Sequence, residues 1–221
     1  MTARPRNVRD ALLQSALKLF SRNGYSAVSM RAIAKGAGAN VGSLTYHFGS
    51  KANLVREIYL QHTGPMNERR MELLREARRI EDLDQRLTAI IRAYVIPAFS
   101  MSQSGIGGGA EFTRMRAILS AEGNREAAAI IADSFDDTSQ AFLRAIKECV
   151  PGASMEGLIW RSQFLLGSLY YALINPDRVT RLSEGRVDGS DQNAAIEQLV
   201  EASFASFRTL AAEEQLHSTA L

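Results

Sequence analysis

The segment from Ser29 to Lys51 constrains the fold of this 221-residue chain more than any other stretch of its sequence. It reads SMRAIAKGAGANVGSLTYHFGSK, which predicts two short helices joined by a glycine turn and followed by the start of a third helix. Ser29 is the expected N-cap of the first short helix. Gly36 and Gly38 are expected to end that helix, because glycine tolerates the sharp turn that follows.

The second short helix of this segment has one apolar side and one polar side. Asn40 is its expected N-cap, and Leu44 and Phe48 lie four residues apart on the face that should be buried. Small and hydrogen-bonding residues then lie on or near the outward side: Gly42, Ser43, Thr45, Tyr46 and His47. A helix, a tight turn and a short helix of this kind are typical of the helix-turn-helix motif, which reads DNA.

Charge is divided unevenly between the first quarter of the chain and the rest. Residues 1–60 carry nine lysines and arginines against two acidic residues, a net charge of +7. The remainder carries 17 basic and 22 acidic residues, a net charge of −5. A basic head on a mildly acidic body favours binding of a polyanion by the head. The alternative, a chance scatter of solvated charge, is less favoured because the basic region coincides with the motif.

Apolar residues recur at helical spacing along the whole chain, and no sustained alternation predicts a sheet. We therefore predict an all-α fold. Outside the motif the expected helices are about Val8–Arg22, Lys51–Arg79, Leu83–Phe99, Ala110–Ala121, Glu126–Cys149, Met155–Ile174 and Asp191–Ala212. Gly64-Pro65 should break or kink the helix that begins at Lys51, and Ser100–Gly109 should be a flexible loop.

Two of the late helices have the pattern of a dimer interface. Met155–Ile174 is apolar nearly all round, so it must be covered on two faces. The last helix carries an apolar stripe with small residues beside it: Ile196, Leu199, Val200, Ser203, Phe207 and Leu210, with Ala202, Ala205 and Ser206. We predict that the two helices form half of a four-helix homodimer interface closed by a two-fold axis. The alternative is that both helices pack in an intramolecular core.

The sequence does not favour an enzyme, a cofactor or a metal site. His47, His62 and His217 lie far apart without metal-ligand spacing, and Cys149 has no adjacent partner. The glycine-rich stretch at residues 105–111 lacks the lysine and hydroxyl residue of a phosphate-binding loop. The lone cysteine fits a reduced compartment, and no apolar run approaches the ~20 residues of a membrane span. We expect a cytoplasmic protein with no membrane partner.

The stretches LFSRNGYSAVSM and RAIAKGAGANVGSLTYHFGSKANLV resemble the TetR family of bacterial transcriptional regulators, over about residues 7–60. The resemblance implies a helix-turn-helix DNA-binding domain over residues 1–50 and an effector-binding and dimerisation domain over residues 51–221. Within this arrangement a three-helix head is joined by its fourth helix to a helical body. Proteins of this family are usually homodimers that repress genes until a small molecule binds in the body.

The resemblance also implies which residues contact DNA. Arg31 would contact phosphate or a base edge, Tyr46 would reach the backbone, and Lys51 would pair with phosphate. The full implied set is Ser29, Arg31, Gly42, Ser43, Thr45, Tyr46, His47 and Lys51. Many relatives have tyrosine where this chain has Thr45, which reaches less far but can contact a thymine methyl.

For the effector the sequence supports only a broad expectation. Phe99, Phe112, Arg116, Trp160, Phe164 and Tyr171 are the candidates to line an apolar pocket. Abundant leucine, methionine and aromatic residues favour a small hydrophobic effector, and Arg116 or Arg161 could pair with a carboxylate. We therefore predict a repressor released from a palindromic operator by such a molecule. The alternatives are a DNA-binding factor without an effector, or an activator.

Overall fold

The computed structural model of the protein describes residues 7–100, 108–123 and 125–218. These residues fold into helices, and no strand occurs among them. In chain order the helices of this part are α1 (Val8–Asn23), α2 (Met30–Gly36), α3 (Val41–Phe48), α4 (Lys51–Ala77), α5 (Leu83–Phe99), α6 (Ala110–Ala121), α7 (Arg125–Cys149), α8 (Met155–Ile174), α9 (Asp177–Leu182) and α10 (Gln192–Ser218). The all-α fold expected from the sequence is confirmed.

The helix bounds depart from the sequence prediction mainly in the last third of the chain. α5, α6 and α8 have the predicted bounds, but nothing in the sequence marks α9, whose six residues bury no side chain. α10 ends at Ser218 and not near Ala212, since the alanine, glutamate and glutamine of its last turns favour helix. Of the predicted Ser100–Gly109 loop, residues 101–107 lie outside the described part.

Side-chain caps set the geometry of the head, which comprises α1, α2, α3 and the start of α4. Asn7 caps α1, and at the start of α2 the Ser29 hydroxyl accepts the Ala32 N–H at 3.1 Å. Asn40 Oδ1 accepts the Ser43 N–H at 2.7 Å, and the Ser50 hydroxyl starts α4 in the same way. Each cap supplies an acceptor for an N–H that has no partner within its helix. The predicted caps at Ser29 and Asn40 are confirmed.

The core of the head explains why α2 and α3 sit on α1. Leu12 and Phe20 of α1, Ile33 of α2 and Leu44 of α3 are all fully buried, and Phe48 is nearly so. The apolar face predicted for α3 is therefore confirmed. Because both ends of α2 and α3 are fixed by caps or glycine and one side of each is buried, the opposite sides are held in a defined orientation.

α4 joins the head to the body as one continuous helix of 27 residues. Of the two alternatives predicted at Gly64-Pro65, the break is wrong, because the helix runs through Pro65 to Ala77, and the kink stays a prediction. Proline removes one backbone hydrogen bond, but tertiary packing can offset that loss. Here α4 packs on α5 and α7, and Met66 and Arg70, directly after the proline, are almost completely buried.

The body is a bundle in which α5 lies against α4, α7 and α10, and α8 lies against α6 and α10. The α10 stripe predicted to face a second copy is instead buried inside the chain, because α5 and α8 cover it: Ile196, Leu199, Val200, Ser203, Phe207 and Leu210. For this stripe the intramolecular alternative is correct. α8 buries Leu158, Leu165 and Leu169 but leaves an aromatic face in solvent.

Among the described residues, no helix has both the length and the apolar character needed to cross a membrane.

Candidate nucleic-acid interface and ligand cavity

The outward surface of α3 consists of the residues that the sequence placed there. Leu44 and Phe48 point into the head, with 0% and 5% of their surface exposed. Thr45, Tyr46 and His47 are exposed, and Tyr46 is 87% exposed although it is a large aromatic residue. A tyrosine held almost fully in solvent on a capped helix is available for contact with a partner.

Gly42 and Ser43 occupy the first turn of α3 beside its cap. Gly42 is exposed and Ser43 is half-buried. A Cβ atom at position 42 would lie 3.2 Å from Asn40 Oδ1, so a larger residue would crowd the capping oxygen. Glycine therefore protects the cap and also leaves the surface of this turn flat.

Exposed cations are also present on α1, α2 and α4 of the head. Within the described residues none of the following forms an ion pair: Lys18, Arg22, Arg31, Lys35 and Arg56. Arg9, in contrast, forms a salt bridge with Glu57 and is only half-exposed. The uneven charge of the sequence thus becomes a set of unpaired cations on the head. Ser29, also expected at the DNA, uses its hydroxyl as the α2 cap.

Lys51 has a different environment from the one that the resemblance implied. Its ammonium group donates to the carbonyl oxygens of Tyr25 and Val28, at 2.7 and 2.9 Å, and lies 4.1 Å from the centre of the Tyr25 ring. The side chain is folded onto the connection between α1 and α2 because that connection presents its carbonyl groups to the start of α4. Lys51 therefore holds the head together, and its charge is not extended towards solvent.

The body contains a cavity of about 430 Å³ between α5, α6, α7 and α8. Most of its wall is apolar: Ile90, Ile91, Ile131, Phe135, Phe142, Leu143, Ile146, Ile159, Leu165 and Leu166. A smaller set of lining residues is polar: Tyr94, Arg116, Ser120, Asp136, Ser139, Ser162, Gln163 and Tyr170. An apolar cavity of this size with a few polar groups is typical of a small-molecule site.

Arg116 of α6 is the charged residue at the buried side of this cavity, with 3% of its surface exposed. Its Nε donates to the Tyr170 hydroxyl, and its guanidinium carbon lies 3.9 Å from the centre of the Phe135 ring. Its Nη1 is buried without a hydrogen-bond partner among the described residues. The guanidinium is thus positioned by aromatic side chains, and part of its donor capacity is unused.

A second buried arginine lies behind the cavity wall. Arg70 of α4 is 1% exposed, and its Nε donates to the Tyr94 carbonyl oxygen at 3.1 Å. Its guanidinium carbon lies 4.1 Å from the centre of the Tyr94 ring, and Tyr94 also lines the cavity. Arg70 Nη1 also has no partner in the described part of the chain. This cation is therefore close to the cavity, behind an aromatic side chain.

Burial and mutual charge effects change the pKa values of this cluster. Burial lowers the pKa of Arg70 to about 10, and the nearby charge of Arg116 acts in the same direction. Burial also disfavours the charged form of Arg116, but Tyr170 and Tyr94 offset it and hold the pKa of Arg116 above its usual value. Both arginines are consequently cationic at neutral pH. Burial tends to raise the pKa of Tyr94, but the cations Arg70 and Arg116 prevail and lower it.

Other buried polar atoms without a partner belong to α4 residues at helical spacing from Arg70. In the described residues they are Tyr59 Oη, His62 Nδ1, Thr63 Oγ1 and Asn67 Oδ1. Native proteins leave few such groups, because each costs about 1–3 kcal/mol when it is unsatisfied. The spacing of these residues along α4 predicts a shared helix face, but the sequence alone gives no sign that this face is polar and buried.

The six residues expected to line the pocket divide into three groups. Arg116 lines the cavity. Phe99 and Phe112 are packed in the core, at 5% and 1% exposed, and are not part of the cavity wall. Trp160, Phe164 and Tyr171 are each more than half exposed on the outer face of α8, because Leu158, Leu165 and Leu169 form its inner face. The structure thus brings only Arg116 to the cavity.

A contact between α6 and the head connects the two regions. The Glu122 carboxylate, directly after α6, accepts the Tyr25 N–H at 2.7 Å and the Ser26 N–H at 3.2 Å. A Cβ atom at Gly24 would lie 2.4 Å from the same carboxylate, and Gly24 has a φ of +77°. Glycine is therefore required there both for the backbone and for the close approach of Glu122.

Comparison with known proteins assigns both regions. The family model "Bacterial regulatory proteins, tetR family" matches residues 12–58. The model "Tetracyclin repressor-like, C-terminal domain" matches residues 92–205, more than half of the chain. The chain belongs to the TetR family. The resemblance seen in the sequence is confirmed, and the family is one of bacterial regulatory proteins.

Curated HTH-type transcriptional regulators align with short segments of this chain. The regulator UidR of Escherichia coli K12 is 42% identical over 53 residues, which are 24% of this chain and 27% of UidR. The repressor KstR2 of Mycolicibacterium smegmatis is 43% identical over 56 residues, 25% of this chain and 27% of KstR2. The aligned segments thus span about a quarter of the length of these relatives.

Solved structures of TetR-family regulators have the same fold over most of the chain. A chain from Shewanella sp. PV-4, described as a tetR family transcription regulator, superposes with a TM-score of 0.57 at 19% identity, covering 91% of this chain and 96% of that one. PfmR of Thermus thermophilus gives 0.53 at 18% identity, covering 89% and 97%. At these identities the likeness concerns the fold alone.

Proposed function

We propose that this TetR-family chain is a DNA-binding transcriptional regulator, and specifically a repressor that leaves a palindromic operator when a small amphipathic molecule enters the body. The observation that carries the proposal is the capped α3, whose exposed face holds Thr45, Tyr46 and His47, in a head that also carries exposed cations on α1, α2 and α4. This combination supplies base-edge contacts and phosphate contacts on one surface.

In this proposal the roles of the head residues follow from their exposure. Thr45 and His47 face the major groove, and Tyr46 reaches the sugar-phosphate backbone. Arg31 contacts phosphate or a base edge, while Ser43 and Gly42 let the first turn of α3 lie close to the DNA. Ser29 acts through its cap on α2, and Lys51 acts by fixing the α1–α2 connection. Specificity then rests on short side chains and on DNA shape.

Two copies of the chain would bind a palindrome, with the α3 helices about one helical turn, ~34 Å, apart. The face that we propose for the homodimer is the exposed aromatic side of α8, which contains Trp160, Phe164 and Tyr171. The small residues Ala202 and Ala205, exposed on the neighbouring α10, would let a second copy approach closely. An exposed aromatic face of this kind supports an interface more than a solvated surface.

Release of the operator would follow from the contact between α6 and the head. Arg116, in the cavity wall, and Glu122, which holds the Tyr25 and Ser26 amides, lie within two turns of each other along the chain at the end of α6. A ligand that moves this end of α6 would therefore move the α1–α2 connection. It can do so only if it prefers the released arrangement by a few kcal/mol.

A DNA-binding factor without an effector is the alternative class, and the cavity with its buried guanidinium argues against it. Activation in place of repression depends on where the operator lies, which the chain does not encode.

Selection of bound duplexes from a random library tests the proposal. Wild type should enrich a two-fold symmetric site. Tyr46→Ala should enrich it weakly or not at all, while the matched control Leu182→Ala, a change at an exposed apolar residue on α9, should behave as wild type. If folded wild-type protein enriches no site, the proposed function is wrong.

A further inference from the structure

We propose that the cavity binds an organic monoanion, with its acid group at Arg116 and its apolar part along α5 and α7. The inference rests on the proposed function in one respect, that this cavity is the effector site. It goes further by assigning the charge of the effector and by placing its acid group at one end of the cavity.

The first step is the unused donor capacity of Arg116. Its side chain is almost completely buried and lines the cavity, and its Nη1 has no hydrogen-bond partner in the described residues. The Nε–Tyr170 hydrogen bond and the Phe135 ring fix the plane of the guanidinium. A guanidinium held in this way keeps the N–H groups of Nη1 available for a charge-assisted hydrogen bond to a carboxylate.

The second step is the excess of buried positive charge. Arg70 and Arg116 are both almost fully buried, and within the described residues neither forms an ion pair with a carboxylate. Buried charges are normally paired, because an unpaired one costs several kcal/mol. The guanidinium carbon of Arg70 lies 4.1 Å from the Tyr94 ring and 5.9 Å from the Phe135 ring, and both rings line the cavity, so this cation is close to the cavity behind aromatic side chains. An anion at Arg116 would therefore be attracted by both cations.

The third step concerns the rest of the ligand. Beyond Arg116, Tyr94 and Tyr170 the wall is mainly aliphatic and aromatic, as at Ile91 and Phe142. The volume of about 430 Å³ is in the range of sites for drug-sized molecules, ~300–1,000 Å³. An acyl or aryl chain fits this lining because it needs no further hydrogen bonds.

The fourth step separates a monoanion from a polyanion. Asp136 also lines the cavity, and its side chain is exposed, which places a negative charge at the solvent side. A second negative group on the ligand would be repelled there, and the remaining polar lining residues, such as Ser139 and Gln163, are uncharged. The site thus selects a single acid group on an otherwise apolar molecule.

The test compares acids with alcohols of the same carbon skeleton. Hexanoate, decanoate and 3-phenylpropanoate are each paired with hexanol, decanol and 3-phenylpropanol, and binding to the full chain is measured by thermal shift and calorimetry. At least one acid should raise the melting temperature and bind at least tenfold more tightly than its alcohol. Equal binding of every pair, or no binding by any acid, overturns the proposal.

Arg116→Met identifies the acid-binding group. The variant should bind the acid at least tenfold more weakly. The melting temperature of its unliganded form is measured as well, because the change also removes the hydrogen bond to Tyr170 and the contact with the Phe135 ring. Arg161→Met is the matched control, since Arg161 is on α8 and does not line the cavity. It should bind the acid as wild type does. Unchanged acid binding by Arg116→Met overturns the proposal.

Two further measurements keep the outcomes distinct. If Arg116→Met does not fold, Arg116→Gln takes its place, because glutamine keeps a hydrogen-bonding group but removes the charge. Affinity for the selected DNA site is measured on the same variants without ligand. Should acids fail while the DNA site is still bound, the anion proposal fails alone. If wild-type protein binds no DNA site, the proposed function is wrong.

Discussion

The head and the body differ in the environment of their polar groups. In the head, Ser29, Asn40 and Ser50 each bond an N–H three residues away, and the exposed cations are hydrated. In the body, Arg70 and Arg116 are buried with donors that have no partner in the described residues. The caps of the head therefore need no further partner, and α3 presents a fixed surface. In the body, by contrast, the buried arginines have donors to which a bound molecule can hydrogen-bond.

This difference has a cost in stability. Burial without a carboxylate partner disfavours the charged form of Arg70 and lowers its pKa to about 10, and native proteins keep such groups where function requires them. The body is thus the region where a ligand adds most, because it binds the folded state and satisfies groups that the chain leaves unpaired. Substitutions in the two regions test this contrast, starting with the largest expected effect.

Leu44→Ala in the head and Leu165→Ala in the cavity wall should differ in their effect on stability. Leu44 is 0% exposed in a closely packed core, so its truncation should cost about 2–5 kcal/mol of unfolding free energy. Leu165 already borders open space and should cost less. Chemical denaturation of both variants measures the difference, and equal losses would mean that the cavity wall is packed as tightly as the head.

Lys51→Met should destabilise the head by about 1–3 kcal/mol, because it removes two charge-assisted hydrogen bonds to the Tyr25 and Val28 carbonyl groups. Its effect on the salt dependence of DNA binding should be small. Arg31→Met is the comparison, since its exposed charge should lower the salt slope by about one unit. A reduced salt slope with unchanged stability in Lys51→Met would make Lys51 a phosphate contact instead.

Tyr46→Ala should lower affinity for the selected site about tenfold, near 1.4 kcal/mol, without changing the melting temperature. Its side chain is 87% exposed and contributes little to the core. Fluorescence anisotropy and thermal melting, with Leu182→Ala as control, measure the two quantities. A large fall in melting temperature would show that Tyr46 supports the fold.

His62 should give the smallest effect, a pH dependence of stability. The ring is 7% exposed and stacks on Phe112 at 5.0 Å, and burial lowers its pKa. As the pH falls below about 6.5 the unfolded chain takes up the proton first, so stability present above that pH is lost towards the lower folded pKa. The loss is about 1.4 kcal/mol for each unit of pKa difference.

Melting curves between pH 7.5 and 5.0 measure this effect. His62→Gln should lose less stability on acidification than wild type, and His47→Gln, with an exposed ring on α3, should follow wild type. Identical pH profiles for wild type and His62→Gln would remove His62 as the cause.

The contrast between head and body also explains how much could be predicted from the sequence. The caps at Ser29, Asn40 and Ser50 and the buried pair Leu44 and Phe48 depend on residues three or four positions apart, so their spacing is visible in the sequence. Helix bounds follow from the same short-range patterns, except in α9, which has no buried residue.

The cavity could not be predicted in this way, because its wall is formed by four helices that are distant in sequence. The residue type alone does not show whether an aromatic side chain such as Phe112 or Trp160 lies in the core, in a cavity wall or in solvent. Arg116 was identifiable only as a basic residue in an apolar helix, and Arg70 gave no signal apart from its place on α4. The fold of Lys51 onto the Tyr25 and Val28 carbonyl groups likewise requires the three-dimensional path of the α1–α2 connection.

Titration of the selected duplex with wild-type protein, over a series of salt concentrations and with or without the best-binding acid, tests the central claim most directly. We expect two chains per duplex, affinity that falls steeply with salt, and release by the acid but not by its alcohol. Binding that depends weakly on salt and is unaffected by every acid would contradict the claim.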